Sequence, residues 1–239
     1  MHSQKKKFKD LDLSNAFLFA EALADEETCR LVLETVQEEN VGAVKVTPER
    51  TILCNSNFRY VRLDIYAHNQ VGIGFRFHQA ELDVASLKPG ENFKNLKPCT
   101  VIFICAFDPF QKGLYRYSFE EHCAEVDIPL GDGTRKIFLN TKGKNPEEVP
   151  EVLVHFLKYV ENSTDDFVED VADATITKLH EKITALKSSR ELEDNYMQLE
   201  ELFQQREKEG VEAGIKVGRE ESVDFIGNEW PYIIPHITK

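Results

Sequence analysis

The stretch VRLDIYA, residues 61–67, alternates apolar and polar side chains and sets one carboxylate, Asp64, among the polar positions. A carboxylate on the polar face of a core strand is a common way to hold a divalent metal. Hydrolysis of a phosphodiester at such a site needs a second oxygen ligand close by and a polar group that orients water. The compact source of both is a second strand with polar residues at i and i+2, which share a face. Two pairs downstream have that spacing, Glu81 with Asp83 and Arg76 with His78. The first pair runs into LDVASLKPG, which reads as helix rather than strand, and the second brings no carboxylate. Periodicity therefore leaves Asp64 as one ligand without a partner. An ordinary polar residue, or an ion-pair partner of Arg62 or Arg76, is the plainer account of it.

Other candidates are weaker. His78, His122, His155 and His180 lack the spacing of zinc ligands. Gly72 and Gly74 have neither the third glycine nor the following acid of a dinucleotide site, and no GKS or GKT phosphate loop occurs. Lys5, Lys6, Lys7 and Lys9 form a basic tail that reads as a solubilising terminus, with DNA contact as the alternative. The whole chain carries a net charge of -13, which repels phosphate backbones on average and leaves any attraction to local groups such as Arg59, Arg62 and Arg76. Five cysteines without C-x-x-C spacing read as reduced, mostly buried thiols of a cytoplasmic protein. The basic N-terminus lacks the apolar run of a secretory signal, and no stretch is apolar for long enough to span a membrane.

The elements that would position these residues follow from pattern. The 239 residues suit one domain with an appendage, or two small domains. A helical N-terminal segment breaks around Asp25, with Asp12, Ser14 and Asn15 competing to cap its first part. Residues 41–52 read as a weak strand pair around Pro48. Residues 61–67 alternate as a strand with one face in the core. Residues 73–87 fit strand or helix. VIFICAF, residues 101–107, is apolar on both faces and belongs in a covered central strand. Residues 114–119 and 135–140 read as strands, with a tight turn at LGDG between them, and Pro150 opens a helix. The order predicts an α/β or α+β domain to about residue 162. Beyond it, Ile176, Leu179, Ile183 and Leu186 begin an amphipathic helical stretch, divided near Ser188 and Ser189, that ends in a Glu/Gly-rich tail. Its apolar stripe makes a homo-oligomer through these helices an expected association.

Taken in order, LSNAFLFAEALADEETCRLVLE, VRLDIYA, HQAELDVASLKPGENFKNLKPCTVIFICAFDPFQKGLYRYSFEEHC and LGDGTRKIFLNTKG resemble the PD-(D/E)XK nuclease family transposases, also called recombination-promoting nucleases. The resemblance covers about residues 9–222. It implies a restriction-endonuclease-like mixed α/β sheet flanked by helices over residues 9–162. A helical extension over 163–222 and an irregular segment over 223–239 complete the expected organisation. It also implies Mg²⁺-dependent cleavage of DNA, with Asp64 as metal ligand and catalytic carboxylate and Gln79 as the matching helical glutamine. Arg76 matches the family's basic position, and Arg59 and Arg62 are candidate phosphate contacts beside it. The family's Glu-x-Gln strand has no counterpart. Nine residues separate Tyr66 from Arg76, too few for a hairpin, a strand and a linker. The resemblance therefore implies the fold more strongly than the activity, and a non-catalytic scaffold or interaction module is the alternative.

Overall fold

The computed structural model describes residues 6–46, 52–54, 59–66, 79–80, 82–84, 87 and 90–220. Six strands form one mixed sheet: β1 (Val44–Val46), β2 (Ile52–Cys54), β3 (Arg59–Tyr66), β4 (Cys99–Cys105), β5 (Arg116–Phe119) and β6 (Thr134–Asn140). Their spatial order is β1-β2-β3-β4-β6-β5. β3, β4 and β6 run parallel, and the outer pairings are antiparallel. All seven residues of β4 are buried, as its double-faced apolar sequence predicts for a central strand. The strand begins at Cys99 and ends before Phe107, two residues earlier than the apolar run suggests.

Helices α1 (Ala16–Ala22), α2 (Glu26–Gln37), α3 (Glu151–Glu161), α4 (Asp165–Val171) and α5 (Ala174–Lys187) pack among themselves and against the sheet. Asn15 caps α1 by accepting from the amides of Phe17 and Leu18. Asp25 caps α2, accepting from the amide and hydroxyl of Thr28 at 2.9 and 2.6 Å. Asp12 and Ser14, the competing cap candidates, have another task. The Ser163 amide donates to Asp12 Oδ1 at 3.0 Å, and the Ser14 amide donates to the Val160 carbonyl at 2.7 Å. The Leu13 amide donates to Ser163 Oγ at 2.9 Å. These bonds clasp the segment before α1 to the end of α3.

The sheet's two faces differ. Cys99, Val101, Phe103 and Cys105 of β4 cluster with Tyr117, Phe138 and Leu82 on one of them. Residue Arg116, next to Tyr117 and so facing the other way, reaches the C-terminal end of α2, where it donates to the Val36 carbonyl at 2.8 Å and pairs with Glu38. A cation there satisfies a carbonyl left open at the helix end and complements the helix dipole.

A longer helix, α6 (Arg190–Glu220), follows α5. The chain divides into two compact units, Met1–Glu193 and Asp194–Lys239. The helical stretch is split at Ser188 and Ser189 as its pattern predicts. Pro48, residues 73–78 and residues 223–239 lie outside the described residues.

The turn after β6 allows no side chain at Gly143. A Cβ there would stand 2.3 Å from Cγ of Tyr115, and that ring is buried against the turn. Gly143→Ala is expected to cost about 1–3 kcal/mol through overpacking. Urea unfolding of the variant checks this, with Lys142→Ala as the neighbouring control.

Candidate functional site

Asp64 stands in β3 in register with Phe103 of β4. Arg62 is registered with Val101, Tyr60 with Cys99, and Arg59 with Cys54 of β2. β3 thus has a neighbour on each side, β2 antiparallel and β4 parallel, through a ladder of seven registered pairs with β4. The sheet is closed without a Glu-x-Gln strand, and the strand carrying Asp64 itself occupies the place beside β4.

Gln79 lies in a short helical stretch with residues 82–84. Its amide Nε2 donates to Asp83 Oδ1 at 3.3 Å and to the sulfur of Cys99. Leu82, on the same stretch, inserts into the apolar cluster. The Gln79 side chain is therefore held at the level of Cys99, which pairs with Tyr60. Asp64 is four residues further along β3, about 13 Å at the rise of an extended strand. Of the two residues that the family resemblance joins in one site, Gln79 lies at the Cys99 end of the β3–β4 ladder. The Gln79 carbonyl oxygen is buried and lacks a hydrogen-bond partner among the described residues. Arg76, His78 and Glu81 lie outside the described residues.

Mg²⁺ demands several hard oxygens in near-octahedral geometry and gives up water reluctantly. Among the described residues, Gln79 has a thiol, one carboxylate and an apolar cluster beside it, which is not such a set. Among the described residues no group of three or more His, Cys, Asp or Glu could hold a metal ion. The Cys99 thiol is pushed up to about 11 by burial, against the opposing hydrogen bond from Gln79. Burial pushes Cys105 up to about 12. Both are neutral thiols in the core, neither nucleophiles nor metal-binding thiolates at neutral pH.

A second polar centre lies at the loop after β4. Asp108 accepts from the amides of Phe110, Gln111 and Gly113 and from the Tyr117 hydroxyl, at 2.6–3.2 Å. The Tyr117 oxygen accepts in turn from the amides of Lys112 and Leu114. Burial raises the Asp108 carboxyl, but the bonds from Tyr117 and the three amides outweigh it and hold the group below its ordinary value. Oδ1 accepts three of these bonds and Oδ2 one, so Asp108 shapes the loop. Its partner Tyr117 is nine residues away, and the D-P-x-x-x-G spacing around Asp108 is the local sequence signal of this loop.

A shallow groove of about 290 Å³ lies between Pro98, Glu120, Pro129, Gly133 and Arg135. Arg135 pairs with Glu120 there at 3.1 Å, and Asp132 accepts from the Thr134 hydroxyl and amide. Glu121 also lines the groove, which contains none of the residues expected to act on DNA. No known protein family, curated protein or solved structure matches the chain.

Two expectations follow. Asp108→Ala should destabilise the fold by about 1–3 kcal/mol at neutral pH. Because the folded carboxyl is held low, its contribution is present above the unfolded pKa and is lost as pH falls through the folded one. Urea unfolding at pH 7 and near pH 3 should show the gap between wild type and variant closing in acid. The second concerns the thiols. Cys123 is exposed while Cys99 and Cys105 are buried. Timed alkylation with mass spectrometry at pH 8 should modify Cys123 first and reach Cys99 and Cys105 only on unfolding.

Proposed function

We propose that the chain is a catalytically silent descendant of the PD-(D/E)XK nuclease family transposases, a cytoplasmic protein that keeps a restriction-endonuclease-like scaffold and has lost metal-dependent cleavage of DNA. The observation that carries this reading is the seven-pair ladder between β3 and β4. It sets Asp64 beside Phe103 and leaves no place next to β3 for a strand bearing the missing Glu and Gln. A lone carboxylate holds Mg²⁺ loosely and leaves it mostly hydrated, so it neither fixes the ion against a scissile phosphate nor activates a water on it. The order of elements supports the scaffold: helix, antiparallel strands, the Asp64 strand, a helical stretch, then the buried parallel strand. Among the described residues no helix is long and apolar enough to cross a membrane. Any remaining affinity for DNA falls to local cations, with Arg59, Arg62 and Arg76 as the candidates, and is steeply weakened by salt.

Plasmid nicking with Mg²⁺ or Mn²⁺ tests the proposal. Wild type and Asp64→Ala should give the same background at equal concentration. Robust nicking by the wild type that disappears in D64A would sink it and make Glu81 the first residue to examine as a replacement ligand.

A further inference from the structure

Between β5 and β6 the chain turns back on itself outside the core. The Leu130 amide donates to the Glu121 carbonyl at 2.7 Å, the Cys123 amide donates to the Ile128 carbonyl at 3.0 Å, and His122 pairs with Pro129. These bonds define an antiparallel hairpin, yet every residue from Ser118 to Gly133 is exposed. Four of them are large and apolar: Leu130 is 65% exposed, Ile128 56%, Val126 55% and Phe119 43%. Opposed residues of an antiparallel pair share a face. Leu130 stands across from Glu121 and Ile128 across from Cys123. Phe119, Glu121 and Cys123 share a face by alternation, so Phe119, Ile128 and Leu130 lie on one side of the hairpin. Phe119 also lies on the side of Tyr117, with its ring 5.0 Å from Phe110 and 5.6 Å from Phe138. The apolar face of the sheet thus continues into solvent beyond β5, the outermost strand.

The same stretch has charge of one sign. Residues 118–133 include Glu120, Glu121, Glu125, Asp127 and Asp132 and no Lys or Arg, five acids against no base and a net charge of -5. Glu120 pairs with Arg135 at 3.1 Å, and among the described residues none of the other four has a Lys or Arg within ion-pair distance. Glu120, Glu121 and Asp132 line the groove of about 290 Å³ beside the hairpin.

We propose that this hairpin binds a second protein through a segment that is both basic and apolar. Aliphatic side chains of that segment pack on Phe119, Ile128 and Leu130, and its Lys or Arg side chains meet Glu121, Glu125, Asp127 and Asp132. This does not rest on the descent from a nuclease. An exposed apolar patch rimmed by polar groups marks an interaction surface, and the sign of the rim selects the occupant. A second copy meeting hairpin to hairpin would set five carboxylates against five. Phosphate backbones and anionic lipid headgroups meet the same repulsion. A cationic segment is attracted by it and held in register.

The test titrates the full chain into a fluorescent peptide in which Lys alternates with Leu, read by anisotropy. Saturable binding that weakens with salt is expected, with slowed amide hydrogen exchange across residues 119–130. Ile128→Ser together with Leu130→Ser should weaken binding about tenfold through lost apolar burial. Glu121→Gln, Glu125→Gln and Asp127→Asn together should weaken it and flatten its salt dependence. Asp166→Asn, Glu169→Gln and Asp170→Asn, which neutralise exposed acids of α4, should leave it unchanged. All these positions are exposed, so each variant should keep the wild-type melting temperature. Absence of binding would overturn the proposal. So would an equal loss in the α4 variant, or equal affinity for a peptide with Ser in place of Leu. A doubled mass at sedimentation equilibrium that Ile128→Ser with Leu130→Ser abolishes would overturn it in favour of a second copy.

Discussion

A strand buried on both faces must have its backbone donors and acceptors satisfied on both edges, and β4 is such a strand. Unpaired amides and carbonyls at that depth cost as much as lost hydrogen bonds. The demand is independent of which segment meets it. Here β3 lies against one edge of β4 and β6 against the other. The same pairing fixes the register of Asp64 with Phe103 and places Leu82, Phe103 and Phe138 in one apolar cluster. The parallel β4–β6 ladder then orders the rest, since β6 carries β5 and the turn that leads to α3. Backbone satisfaction at the sheet's centre thus sets where the flanking side chains stand.

Much of this was legible in the residues. The double-faced run VIFICAF announced a central strand, and the alternation of VRLDIYA announced one beside the core. The LGDG turn is built as its glycines imply, with φ of 70° at Gly131 and 78° at Gly133. Pro150 opens α3 and Asp25 starts α2 where local chemistry places them. What pattern did not reveal was tertiary. Helix α4 has no buried residue and so presents no apolar stripe, and only its Thr164 cap marks it. The end of β4 is set by the loop that Asp108 organises, so Phe107 leaves the strand although it is apolar. Gln79 was matched to a catalytic position by its place in a motif. Its contact with Cys99, twenty residues on, depends on how the intervening chain folds back, which no local spacing encodes.

Polar side chains in the first unit act mainly as fasteners between elements. Tyr159 of α3 bonds to His180 of α5 at 2.9 Å, and His180 bonds to Asp165 of α4 at 2.8 Å, linking three helices through one imidazole. His155 of α3 meets Asp173, the cap of α5, at 3.1 Å. Burial raises the Asp173 carboxyl, but the bonds from His155 and from the amides of Ile176 and Thr175 hold it low. His155 and His180 are thereby used as cross-braces between helices.

The clasp between residues 12–14 and 160–163 has a consequence for synthesis. Its bonds join groups 150 and 151 positions apart. During translation the segment before α1 has no docking site until residue 163 has cleared the ribosomal exit, so α1 emerges first and must wait. Through that interval Leu13, Leu18 and Phe19, buried in the finished fold, lack the contacts that α5 gives α1, and long-range closure of this kind slows folding. The nascent polypeptide therefore carries this apolar segment open to chaperones until α3 and α5 have been made.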